Sequence, residues 1–60
     1  MSAFFEVYQD TANKFRFRLK ASNGEIIATG EGYSSKASCM EGIESIKKNA
    51  ASAEVRDLTL

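Results

Sequence analysis

The chain contains no histidine, no tryptophan and no proline, and its only cysteine is Cys39. Each absence narrows the field. Without histidine there is no ordinary base to activate a serine or cysteine nucleophile, and one cysteine with no histidine provides no zinc-ligand set. A lone cysteine forms no intrachain disulfide. No apolar run approaches the roughly 20 residues that span a bilayer, and Met1-Ser2-Ala3 lacks the basic and apolar regions of a signal peptide. These features, with the unpaired cysteine, lead to the expectation of a cytoplasmic protein. Charge of one sign is also lacking: eight basic residues balance eight acidic ones, which points to neither a polyanion nor a membrane surface. No cofactor or metal is expected.

What is present is a sixty-residue chain, 43% hydrophobic and 27% charged, the composition of a globular protein and the length of one domain, residues 1–60. A chain this short buries only about 60% of its unfolded surface and needs support. With disulfide and metal excluded, a partner chain is the remaining one.

The organising stretch runs from Gly24 to Ile46, where a period-two apolar pattern gives way to a helical one. Ahead of it, AFFEVYQ from Ala3 to Gln9 reads as a strand, and Asp10-Thr11-Ala12-Asn13 as a loop. Phe15, Phe17, Leu19 and Ala21 then alternate with Arg16, Arg18 and Lys20, which predicts a strand with one dry and one wet face. Asn23-Gly24 predicts a two-residue type I′ turn. Counting outward pairs Ala21 with Ile26, Leu19 with Ala28 and Phe17 with Gly30 on the core face. Lys20 falls beside Ile27, Arg18 beside Thr29, and Arg16 beside Glu31 as an ion pair outside. In the first hairpin, Gln9 closes against Phe15, Val7 lies by Phe17, Phe5 by Leu19, and Glu6 by Arg18. Both hairpins agree on the dry face, which fixes a meander. Ala28 and Gly30 leave room for a helix.

After Gly32-Tyr33, Ser34 and Ser35 can each cap a helix whose apolar stripe is Cys39, Ile43, Ile46 and Ala50. Ser38 with Glu41 offers a capping box one turn later, and the earlier start is preferred. Gly42 implies close approach of helix and sheet. Glu44 and Lys48 are spaced for an ion pair, and the helix should fade near Asn49. Ala53 to Thr59 is expected as a last strand that chooses no face clearly.

The expected fold is α+β, a β-β-β-α-β unit with an antiparallel sheet and one helix on one face. The run FRFRLKASNGEIIATGEGYSSKASCMEGIESIKKNA from Phe15 to Ala50, with FEVYQD before it and AEVRDLT after it, resembles the YegP-like family of small prokaryotic proteins. The NGEIIA turn-strand, the GYSSK junction and the GIESIKKNA helix end carry the likeness. Cys39 stands where the family usually has a small residue such as alanine. The resemblance implies one or two copies of the unit per chain, and a single sheet built from two units that exchange C-terminal strands. A one-copy chain would then be a homodimer. It implies no catalytic residues.

Four side chains form the candidate site: Tyr8, Arg16, Arg18 and Lys20, an aromatic beside three cations on the outer sheet face, as in modules that stack bases and contact phosphates. Glu6 and Glu31 oppose Arg18 and Arg16, so a solvated, self-neutralised face is the favoured reading. The loop Gly30-Glu31-Gly32-Tyr33-Ser34-Ser35-Lys36 precedes a helix but lacks the Gly-Lys-Ser/Thr of a phosphate loop, and reads as a connector. Cys39 reads as core, and Glu41 and Glu44 as helix surface. The expected function is a homodimeric structural or protein-interaction module without catalysis, with nucleic-acid binding as the alternative.

Overall fold

The computed structural model describes residues 2–59. Of the expected domain 1–60, Met1 and Leu60 lie outside the described residues. Three strands, β1 (Phe4–Gln9), β2 (Phe15–Lys20) and β3 (Ile26–Thr29), form an antiparallel sheet in the order β1-β2-β3. Helix α1 (Lys36–Asn49) follows and runs into a short 3-10 turn, Ala50–Ser52.

The first hairpin has the register that the alternation dictates: Phe5 lies opposite Leu19, Glu6 opposite Arg18, Val7 opposite Phe17 and Gln9 opposite Phe15. Its loop closes with Asn13 in the left-handed region at φ 63°, a conformation asparagine tolerates. Asn13 N–H donates to the Asp10 carbonyl at 3.0 Å, and Asp10 N–H to the Lys14 carbonyl at 2.9 Å.

The second hairpin departs from the expected two-residue turn. Only Gly24 has positive φ, at 89°, whereas a type I′ turn requires it at Asn23 as well. Gly24 N–H donates to the Ala21 carbonyl at 2.9 Å, and Ala21 N–H to the Glu25 carbonyl at 2.8 Å, so three residues, Ser22 to Gly24, make the loop. The Asn23 side chain accepts from Glu25 N–H at 3.0 Å, a local bond that asparagine forms readily. The longer loop shifts the pairing by one residue: Lys20 lies opposite Ile26, not Ile27, and Ala21 closes on Glu25, not Ile26. A register break between Leu19 and Lys20 then absorbs Ile27 as a bulge, and Leu19 with Ala28 and Arg18 with Thr29 pair as expected. Gly30 N–H donates to the Phe17 carbonyl at 2.9 Å. Beyond it, Tyr33 pairs with Phe15 through two backbone bonds of 2.8 and 2.7 Å. Glu31 and Gly32 therefore share the span opposite Arg16, and the Arg16–Glu31 pair is replaced by one with Asp10.

Phe17, Cys39 and Ile43 are the buried core, with Phe5, Val7, Phe15 and Tyr33 packed around them. The room at Gly30 is taken by a side chain of the sheet: a Cβ there would lie 2.2 Å from Phe17 Cε2. Phe17 meets Phe5 edge-on at 5.9 Å and stacks on Tyr33 at 6.3 Å. The close approach at Gly42 is to Tyr33, whose hydroxyl would be 2.4 Å from an added Cβ.

Ser35 caps α1, its Oγ accepting from Ser38 N–H at 3.1 Å, which settles the earlier start. The helix ends at Asn49 as the pattern requires. Only the first half of its apolar stripe is covered: Ile46 is 36% exposed and Ala50 is exposed. On the wet side Glu44 pairs with Lys47 at 3.6 Å, one residue short of Lys48. The expected last strand is not formed within the chain. Residues 53–59 run without regular structure and Val55 is 93% exposed, because a strand needs a neighbouring strand to take up its N–H and C=O groups.

Candidate functional site

Alternation in β1 and β2 sends Glu6 and Tyr8 to the same face as Arg16, Arg18 and Lys20, away from the buried Phe17. Pairing places Glu6 opposite Arg18, Tyr8 opposite Arg16, and Lys20 at the Phe4 end. The four residues singled out by the sequence thus share one face.

Their charges are already answered within it. Arg18 Nε donates to Glu6 Oε1 at 2.7 Å, and Lys20 Nζ lies 3.2 Å from the same oxygen. Arg18 also covers the Tyr8 ring, its guanidinium carbon 4.8 Å from the ring centroid. Arg16 Nε donates to Asp10 Oδ2 at 2.6 Å, while the other Asp10 oxygen accepts from the N–H groups of Ala12 and Lys14, each at 2.9 Å. The Arg18 hydrogen bond, followed by that of Lys20, lowers the Glu6 pKa below the usual carboxylate range. The Arg16 hydrogen bond, then the Lys14 N–H, does the same for Asp10, and Arg16 is raised in return.

Asp10 is not among the residues that the sequence singles out, because an aspartate between two strands reads first as a turn former. Its spacing to Ala12 and Lys14 is the available signal: an Asx turn fixes the carboxylate and leaves one oxygen for a neighbour. The diagonal stack of Arg18 on Tyr8 has no such signal.

The remaining candidates have structural duties. In the glycine-serine junction, Gly30 lies under Phe17, Tyr33 pairs with Phe15, and Ser35 caps the helix. Cys39 is fully buried between sheet and helix. Glu41 is exposed, as is Glu44 in its pair with Lys47. Among the described residues no three His, Cys, Asp or Glu side chains gather as a metal set.

Comparison with known proteins places this geometry in a family. Residues 10–57 match the domain of unknown function DUF1508. A UPF0339 protein of Treponema denticola is 64% identical over 55 residues, 92% of this chain and 95% of that one. The NMR solution structure of a protein from Haloferax volcanii superposes with a TM-score of 0.86 at 51% identity, covering 93% of this chain and 95% of that one. UPF0339 protein YegP of Shigella flexneri is 48% identical over 54 residues, which are 90% of this chain and 49% of YegP. No function is assigned to the family, and none of these names carries a reaction. With the match spanning most of its length and the same three-stranded sheet and helix, the chain belongs to the DUF1508 family, alongside the UPF0339 proteins that include YegP.

Proposed function

We propose that this chain is a homodimeric interaction module without catalysis, in which the C-terminal segment of each copy completes the sheet of the other. The observation that carries this reading is the segment 53–59, which leaves the helix with Val55 93% and Leu58 90% exposed. The radius of gyration is 13.1 Å, against about 10.4 Å for a compact chain of this length. Burying Val55 and Leu58 against a second copy contributes about 1.5–3 kcal/mol for each side chain, the support that so small a core requires. The match covers 49% of YegP, a chain long enough to hold a second unit of this size. Light scattering tests the reading: the full chain is expected at twice 6.6 kDa, and a chain ending at Ser52 is expected to lose the dimer. A well-folded dimer without the segment overturns it.

The alternative is a nucleic-acid surface on Tyr8, Arg16, Arg18 and Lys20, and its support is that one face gathers all four. Against it, each cation holds a carboxylate and Arg18 occupies a face of the Tyr8 ring, so binding must first break those contacts. Fluorescence anisotropy with mixed single-stranded oligonucleotides at low salt decides it: salt-sensitive binding that Arg18→Glu with Lys20→Glu abolishes favours this alternative.

A further inference from the structure

The chain has three asparagines, Asn13, Asn23 and Asn49, and they are unequally placed for reaction. An asparagine amide is lost when the backbone nitrogen of the next residue attacks the side-chain carbonyl carbon, and a Cβ on that next residue crowds the approach. Asn13 is followed by Lys14 and Asn49 by Ala50, so both nitrogens belong to residues with a Cβ. Each is also held. Lys14 N–H donates to Asp10 Oδ1 at 2.9 Å, and Ala50 N–H to the Ile46 carbonyl at the end of α1. The Asn49 amide is engaged as well, its Nδ2 donating to the Ser45 carbonyl at 2.8 Å.

Asn23 is followed by Gly24. Residues 22–25 are all exposed, and a Cβ built on Gly24 would meet no atom within 4 Å. Gly24 N–H is bonded to the Ala21 carbonyl at 2.9 Å, but freeing it requires only a short surface loop beside the edge strand β3 to open, a segment at the low end of local stability. The Asn23 Oδ1 accepts from Glu25 N–H at 3.0 Å. That donor is aimed at the oxygen on which negative charge develops as the nitrogen attacks, and so stabilises the tetrahedral intermediate.

We propose that Asn23-Gly24 is a site of self-modification, at which the folded chain converts Asn23 to aspartate and isoaspartate. The Gly24 nitrogen gives its proton to solvent and bonds to Asn23 Cγ; the Cγ–Nδ2 bond breaks, and the leaving nitrogen takes a proton from solvent and departs as ammonia. A cyclic imide remains, which water opens at either carbonyl. Opening at the side-chain carbonyl gives aspartate. Opening at the backbone carbonyl gives isoaspartate, whose main chain runs through the former side chain and is longer by a methylene. Either product adds a negative charge beside Glu25 to a chain whose eight basic and eight acidic residues balance. The longer main chain does not fit a loop closed by Gly24 N–H on Ala21 and Ala21 N–H on Glu25, so in the isoaspartate form this closure opens and β3 loses its tie to β2 at the turn.

Incubation of the native chain in neutral buffer, with peptide mapping by tandem mass spectrometry that separates aspartate from isoaspartate, tests the proposal. Conversion at Asn23 is expected to be at least about tenfold faster than at Asn13 or Asn49, a barrier lower by about 1.4 kcal/mol. Equal rates at the three sites, or an Asn23 that stays intact, overturn it. Asn23→Ser keeps an acceptor for Glu25 N–H and has no amide to lose. It is expected to fold with an unchanged melting temperature and to abolish the acidic species that ion exchange resolves from the aged chain. The same species forming at the same rate in Asn23→Ser overturns the assignment. In the isoaspartate form purified from aged chain, the Ala21 amide is expected to exchange with solvent at least about tenfold faster, and unchanged protection there overturns the opening of the loop.

Discussion

Replacing Gly30 by alanine puts a methyl carbon 2.2 Å from Phe17 Cε2, 2.4 Å from Cζ and 2.6 Å from Cδ2. The ring cannot move aside freely: it is 3% exposed, with Phe5 edge-on, Tyr33 stacked, and Cys39 and Ile43 in the same cluster. Gly30 does not have positive φ, so alanine meets no left-handed backbone penalty and gains about 0.4–1 kcal/mol over glycine by restricting the unfolded chain. Against that gain stands overpacking, about 1–3 kcal/mol in a well-filled core, rising toward the 3–5 kcal/mol of losing a buried phenylalanine if the ring is expelled. The expected net loss is about 1–3 kcal/mol. At about 1 kcal/mol per molar urea for a chain of this size, the midpoint falls by about 1–3 M. Urea titration followed by circular dichroism at fixed chain concentration measures it. A smaller side chain at position 17 relieves the contact, so Phe17→Leu with Gly30→Ala should destabilise less than the sum of the two changes. An unchanged or raised midpoint for Gly30→Ala alone refutes the packing of Phe17 over Gly30.

Gly42→Ala should fail to deliver the roughly 1 kcal/mol that alanine ordinarily gains in mid-helix, because Tyr33 Oη stands 2.4 Å from the new methyl; adding Tyr33→Phe should recover part of it in thermal melts. Ser35→Ala removes the acceptor of Ser38 N–H and should cost about 1 kcal/mol, read as a lower melting temperature with frayed helix signal. The lowered pKa values of Glu6 and Asp10 mean that their ion pairs stabilise the fold fully above the ordinary carboxylate range, near pH 4, and that this contribution is lost as pH falls through the lowered values. Asp10→Asn should therefore flatten the acid limb of a stability-versus-pH curve; an unchanged limb contradicts the Asp10–Arg16 pair.

Periodicity made much of this fold legible. The phase of Phe15, Phe17 and Leu19 determines which face is dry, and the two hairpins had to agree on it, so the pairs from Phe5–Leu19 to Gln9–Phe15 follow by counting. The second turn was not legible for a definite reason. Asn23-Gly24 serves equally in a two-residue turn and as the end of a three-residue one, and the choice depends on whether the strand beyond can absorb a bulge, which it does at Ile27. Gly30 was recognisable as a gap, but whether helix or ring fills it is a matter of packing between elements. On the outer face the alternation gathers Tyr8, Arg16, Arg18 and Lys20, while the pairing of Arg16 with Asp10 depends on a loop that curls back beneath it. The C-terminal segment has an apolar content in Val55 and Leu58, but these fall three apart and mark no consistent face, so no alternation was there to read.

Sedimentation equilibrium of the full chain beside Val55→Asp with Leu58→Asp tests the central claim most directly. The prediction is a species of twice 6.6 kDa for the unaltered chain and a shift toward 6.6 kDa for the variant, whose two substitutions fall where the single chain is about nine-tenths exposed. A chain that stays at 6.6 kDa, or a dimer indifferent to both aspartates, contradicts the exchange.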